Sequence, residues 1–242
     1  AEHPALGGHA AAGAEHARGA MTLRTAQFDA SLTRSGEREL DAMTCDCCQT
    51  DAALTASGPL LVYRGRTPEE VRDILVARND GTQWQAAQRV HADDWTMPAC
   101  PVNGPAVASE GRNAVIAWYT AAADTPTVKI ARTQDAGATF AAPLVLERGA
   151  AGQGRVGGAG REHSVWAMWM DEDTNGQTLR FARFTPDLTR ELQRGEVAKL
   201  QGKGRGTGLP KIALADGTAF IVWTDVIDGN PGLHGAPYTV AP

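Results

Sequence analysis

The chain has 242 residues, 43% of them hydrophobic and 21% charged, which is enough apolar material for a substantial core. Its formal charge is −5 and Lys and Arg never form a run, so a phosphate-tracking nucleic-acid surface is excluded as a reading. No apolar stretch approaches the ~18 residues of a membrane-spanning helix; the longest, AVIAWYTAAA, is short and contains Thr.

Residues 1–21 are rich in Ala, Gly and His and read as a loop or disordered segment, with His3, His9 and His16 as loose metal-ligand candidates. The opening AEHPALGGHA has neither an initiator Met nor a signal-type apolar core, which reads as a processed product or a piece of a longer chain.

A strand is predicted over 22–29, around LRTAQFD. Next comes MTCDCCQTDA, residues 43–52, which places Cys45, Cys47 and Cys48 within four positions; the fourth cysteine, Cys100, lies in PACPVNGPA. C-x-C-C is neither half of a zinc ribbon nor a thioredoxin-like C-x-x-C. Strands follow at 51–57, 59–64, 71–78 and 86–91, then at 104–110, 113–120, 127–133 and 142–147. The last predicted strand is 233–239. β-Branched and aromatic residues fill these segments, Gly, Asp, Asn and Pro separate them, and no helical period persists over a dozen residues.

The strands belong to a repeat. Tyr63, Trp118, Trp169 and Trp223 end four similar apolar segments at steps of 55, 51 and 54 residues, and Ala77, Ala131, Ala182 and Ala236 follow at steps of 54, 51 and 54, with Ala26 a further 51 upstream. Four short strands every ~50 residues predict an all-β propeller of four-stranded blades over residues 22–242. The chain opens on a third strand and closes after a third strand, so three complete blades are expected, with two strands before and three after. That makes about four blades of a propeller expected to have six when complete, the missing N-terminal blades coming from further chain or from a partner chain.

The turn between third and fourth strands carries TQDAGATF, which fits the Asp-box pattern S/T-x-D-x-G-x-T-W/F through Asp135, Gly137 and Phe140. ARNDGTQW is a degenerate copy, with Asn79 for Asp and Gln83 for Thr, that contains Asp80, Gly81 and Trp84, and RFTPDLT is expected to have lost the pattern. The carboxylate accepts turn N–H groups, glycine permits positive φ, and the aromatic packs between strands, so these residues read as structural. With CDCCQT, an RDI segment and CPVNGPA, the chain resembles bacterial sialidase-like proteins with Asp-box (BNR) repeats, described as exo-sialidase-like, over nearly all of residues 20–240. The resemblance implies a propeller fold and a periplasmic or secreted address.

Propeller topology sends the loops between fourth and first strands, and between second and third strands, to one rim. There Cys47 precedes the hairpin residue Gly58 by eleven positions and Cys100 precedes Gly111 by eleven, so they enter adjacent blades equivalently. The sulfurs read as structural disulfides, as a thiolate site for Cu or Zn, or as redox-active thiols. Arg64, Arg72 and Arg155, with Asp73 and Asn103, are candidates for binding a glycan or small anion, because guanidinium forks match carboxylates. Their competing reading is a set of rim charges paired with Glu69, Glu70 or Asp73. Sialidase hydrolysis needs a Tyr–Glu nucleophile pair and an Asp acid/base, in place of the usual two carboxylates. Asp51, Asp73, Asp171, Asp173 and Asp225 are unranked candidates, and no catalytic set is assigned. The functional expectation is a glycan-binding or glycosidase-like propeller; the alternative is a non-catalytic metal-binding or interaction propeller.

Overall fold

The computed structural model describes residues 20–150, 152–161, 164–204 and 206–239. Among these the only helical element is one 3-10 turn, Ala122–Asp124. The rest of the regular structure is strand, in five antiparallel sheets that follow one another along the chain. The first contains β1 (Leu23–Phe28) and β2 (Arg34–Asp41). The second contains β3 (Asp51–Thr55), β4 (Gly58–Arg64), β5 (Ile74–Arg78) and β6 (Gln88–Arg89). The third contains β7 (Ala106–Glu110), β8 (Asn113–Thr120), β9 (Thr127–Thr133) and β10 (Leu144–Arg148). The fourth contains β11 (Gly152–Arg161), β12 (Ser164–Asp173), β13 (Gly176–Phe184) and β14 (Glu191–Leu200); the fifth contains β15 (Gly208–Ala215), β16 (Thr218–Ile227) and β17 (Asn230–Thr239).

Consecutive strands pair within every sheet, and β3, β7, β11 and β15 lie side by side. Ala53, Val107, Gly158 and Ile212, one from each of these inner strands, line a common channel of about 550 Å³. Meandering sheets arranged around a shared axis are propeller blades. The register matches the repeat: two strands, three complete blades, then three strands. Residues 1–19, including His3, His9 and His16, lie outside the described residues; Met21, just after them, accepts the Thr44 N–H at 2.8 Å through its carbonyl.

Alternation along the second strand of each blade builds the core. On β8, Ile116 and Trp118 face the second sheet and pack with Leu60, Val62, Ile74 and Val76, while Val115 and Ala117 face the fourth sheet and pack with Val165, Ala167 and Trp169. On β12 the opposite side, Trp166, Met168 and Met170, packs on Ala219 and Ile221 of the fifth sheet. The period of two puts apolar side chains on both faces, because a blade is covered on both sides by its neighbours. At two of the strand-two aromatics the buried polar tip finds a partner. The Tyr63 hydroxyl donates to Asp41 Oδ2 at 2.7 Å and Trp118 Nε1 donates to Asp93 Oδ2 at 2.7 Å, so an acid near the outer edge of one blade ties down the next.

The turns between third and fourth strands are built on an aspartate. Asp135 accepts from the Thr133 hydroxyl, the Thr139 N–H and the Thr139 hydroxyl at 2.7, 2.9 and 2.6 Å, with Gly137 at φ 85°. Asp80 accepts from the Thr82 N–H, the Thr82 hydroxyl and the Gln83 N–H at 2.9, 2.7 and 2.9 Å, with Gly81 at φ 97°. The RFTPDLT turn has no Asp-box, as its sequence implies. It lacks the glycine, yet Asp187 accepts from the Thr185 hydroxyl at 2.6 Å and the Thr189 hydroxyl at 2.8 Å, and Leu188 takes φ 59° as Ala136, the residue after Asp135, takes φ 57°. Asp29 closes the β1–β2 turn in the same way, through the Ser31 and Thr33 N–H groups at 2.8 and 2.9 Å.

Candidate ligand-binding cleft and its disulfides

Three of the five candidate ligand residues converge on a residue that the sequence did not single out, Trp95: Arg64 on its ring, Arg72 and Asp73 on its main chain. Arg64 ends β4 with a guanidinium only 1% exposed, and all its hydrogen bonds go to carbonyls: Nε to Asn103 O at 2.6 Å, Nη1 to Arg72 O at 2.5 Å and Nη2 to Tyr119 O at 2.6 Å. Its plane lies 4.9 Å from the centre of the Trp95 ring. Burial pulls its pKa down, and Asp93 and Asp73 pull it back. The expected role of Arg64 as a ligand-binding arginine is therefore corrected: it clamps the chain segments around Trp95.

Arg72 donates its main-chain N–H to Trp95 O at 2.8 Å and its guanidinium to Glu70 Oε2 at 3.0 and 2.6 Å. Glu70 would be pushed up by burial, but hydrogen bonds from Arg66 and Arg72 hold it below its ordinary pKa. Asp73 accepts the Asp94 and Trp95 N–H groups, each at 3.2 Å, and the Arg89 guanidinium at 3.1 Å; burial nevertheless raises its pKa. Arg72 and Asp73 are thus paired groups that hold the 93–97 loop against its blade. This loop also explains why β5 starts at Ile74 and not at 71: Val71 is diverted into an isolated bridge with Thr96.

Above this support lies a cleft of about 360 Å³ lined by Trp95, Met97, Cys100, Asn103, Tyr119, Asp124, Gln153 and Arg155. Here the remaining two candidates, Asn103 and Arg155, come together. The Arg155 N–H donates to Asn103 Oδ1 at 2.8 Å, and its Nη1 donates to Thr207 O at 2.8 Å. Gly154 makes the approach feasible: at φ 75°, an added Cβ would lie 2.6 Å from Asn103 Oδ1 and 2.8 Å from Tyr119. Trp95 meets Tyr119 edge-on, with ring centres 5.7 Å apart. Burial raises the Tyr119 hydroxyl's pKa, with Arg64 pulling it back. The cleft combines aromatic surface, amide groups, one cation and one carboxylate within the size range of small-molecule sites.

The cysteines join at this rim. Cys45 pairs with Cys48, and Cys47 pairs with Cys100 across adjacent blades, with Cα atoms 5.6 and 6.1 Å apart respectively. All four are thereby paired, which selects the disulfide reading. The Sγ atoms of Cys45, Cys47 and Cys48 lie within 4.8 Å of one another, a spacing that suits a soft metal only if these atoms are thiolates. Gln49 and Gly104 reinforce the junction through a reciprocal pair, Nε2 to Gly104 O at 3.2 Å and Gly104 N–H to Oε1 at 3.0 Å.

The other rim carboxylates serve the backbone. Asp51 accepts the Val107 N–H at 2.9 Å, joining two inner strands. Asp225 accepts the Gln201 and Gly202 N–H groups at 3.0 and 2.9 Å, and Asp173 accepts the Asn175 N–H at 2.7 Å. Asp171 is bonded to Arg180 Nε, and burial raises its pKa. Asp124 is the single carboxylate among the described residues lining the cleft, and no described carboxylate hydrogen-bonds the Tyr119 hydroxyl.

No family model and no curated protein matches the chain in sequence. Among solved structures it is similar to the GH43 endo-arabinanase from Bacillus licheniformis, at 12% identity over 78% of this chain and 70% of that one, with a TM-score of 0.50. A GH32 beta-fructofuranosidase from Bombyx mori gives 12% identity over 77% of this chain and 45% of the enzyme, with a TM-score of 0.49. An alpha-L-arabinofuranosidase from Clostridium thermocellum gives 8% identity over 85% and 79%, also at 0.49. At such identities the likeness concerns the fold: this chain shares the propeller architecture of glycoside hydrolases.

Proposed function

We propose that this chain belongs to an extracytoplasmic, sialidase-like propeller that binds an acidic glycan unit or similar small anion in the cleft and does not hydrolyse it. The observation that carries this reading is the cleft itself. Tyr119 and the exposed edge of the largely buried Trp95 offer aromatic surface for a sugar ring, Gln153 and Asp124 offer groups for hydroxyls, and Arg155, itself buried and bonded to Thr207, makes the wall positive toward a carboxylate. The Asp-centred turns support the Asp-box kinship, and the two disulfides support an oxidising compartment. Binding is favoured over hydrolysis because glycoside cleavage uses two carboxylates or a Tyr–carboxylate pair, and the described cleft presents Asp124 without either arrangement.

The test is calorimetric titration with N-acetylneuraminate, alongside assay of a fluorogenic sialoside. The reading expects saturable binding without turnover. It also expects Asp124→Ala and Gln153→Ala each to weaken binding several-fold, the loss of one polar contact being worth about 1 kcal/mol. Turnover by the wild-type chain, or binding indifferent to both substitutions, would contradict it. A second reading, a thiolate site for Cu or Zn, is supported by the sulfur spacing and applies to the reduced protein alone.

A further inference from the structure

The four sulfurs form a continuous line. Cys48 is bonded to Cys45 and Cys47 to Cys100, while Cys45 Sγ lies 3.8 Å from Cys47 Sγ. We propose that this line is a thiol–disulfide exchange centre: its substrate is a dithiol reductant, and its product is a Cys100 thiolate delivered to the cleft wall. The proposal is independent of what the cleft binds.

Exchange proceeds by attack of a thiolate on one sulfur of a disulfide while the other leaves with the electron pair. Within the Cys45–Cys48 pair, Cys45 is 6% exposed and Cys48, like Cys47 and Cys100, is half-buried, so a thiolate that attacks this disulfide does so at Cys48 Sγ. That attack forms a mixed disulfide on Cys48 and expels Cys45 as a thiolate, already 3.8 Å from Cys47 Sγ. Cys45 then attacks Cys47. The Cys45–Cys47 bond forms, the Cys47–Cys100 bond breaks, and the electron pair leaves on Cys100. The second thiol of the dithiol resolves the mixed disulfide, departs as an oxidised disulfide, and leaves Cys48 as a thiol. The net change is a transfer of two electrons and two protons from the dithiol to the protein, which retains one disulfide and gains thiols at Cys48 and Cys100.

The relay requires that the loops stay together once the Cys47–Cys100 bond opens. Contacts other than sulfur hold them. The Cys45 N–H donates to Arg64 O at 3.0 Å, Thr44 bridges Gly65, and Gln49 is bonded to Gly104 in both directions. Gly104 is so close that an added Cβ would lie 1.8 Å from Gln49 O. Cys100 lines the cleft beside Asn103, so the output reaches the proposed ligand site.

The experiment treats the native chain with one equivalent of dithiothreitol, traps thiols with N-ethylmaleimide at mildly acidic pH, and maps labels by mass spectrometry after cleavage before Asp46, which separates Cys45 from Cys47 and Cys48. The relay predicts labels on Cys48 and Cys100 together, with Cys45 and Cys47 linked. Labels on Cys45 with Cys48, or on Cys47 with Cys100, would show two independent disulfides and overturn it. A Cys45→Ser/Cys48→Ser variant, checked for folding by its thermal transition, is expected to label Cys100 at least tenfold more slowly than the wild type. Labelling at the wild-type rate would overturn the relay as well.

Discussion

Arg64 shows how one buried cation can organise a cleft from beneath. Its planar fork satisfies carbonyls at positions 72, 103 and 119, and its face supports Trp95, so four segments of two blades depend on one side chain. Removing a buried, fully bonded charged group leaves its partners unpaired, which typically costs about 3–5 kcal/mol. Arg64→Met is expected to lower the unfolding free energy by that amount in urea titrations, and a loss below about 1 kcal/mol would contradict the clamp. The sequence placed this arginine near the mouth, but exposure is a tertiary property. Nothing local distinguishes an arginine that reaches out from one that turns in to three carbonyls. Trp95 was missed for the same reason. Its segment, HADDWTMPAC, reads as a polar loop, and only the pairing of Asp73 with the 94 and 95 N–H groups makes it a wall.

At the scale of elements, the turns between third and fourth strands carry a repeated charge effect. Hydrogen bonds to Asp135 from Thr139 and Thr133 outweigh the upward push of burial and hold its carboxyl at about 2, against an ordinary 3.8. Because the folded value is depressed, the stabilisation is fully present above pH ~4 and is lost as pH falls through ~2. Asp135→Ala is expected to destabilise by about 1–3 kcal/mol at neutral pH, from the hydrogen bonds it removes. Denaturation series at several pH values should show that gap constant from pH 5 to 8 and narrowing below pH 4; a gap that widens on acidification would contradict the role. The strands and these turns were legible because period-two alternation and turn residues are local signals. The RFTPDLT turn lost the pattern with its glycine, and the Thr185–Asp187–Thr189 clasp that closes it has no counterpart in the Asp-box signature. The acids that anchor Tyr63 and Trp118 were not legible, since Asp41 and Asp93 come from the neighbouring blade's edge.

For the whole molecule, the repeat spacing was enough to order the blades and to put Cys47 opposite Cys100, because every blade enters the axis in the same way. The fifth sheet shows what such packing requires. Its inner-facing Ala219 and Ile221 are covered by β12, while Phe220 and Leu233, on the other face, are 50% and 77% exposed. An apolar face of this kind is the surface that a further blade covers in a propeller. The cleft was only half legible: Asn103 and Arg155 were singled out, but Tyr119, Asp124 and Gln153 join them through blade geometry alone. The proposal that an acidic glycan unit binds in this cleft is tested by backbone amide NMR during titration with N-acetylneuraminate. Shifts are expected to concentrate at residues 95–103, 119–124 and 153–155. Shifts confined to other blades, or none at millimolar ligand, would contradict it.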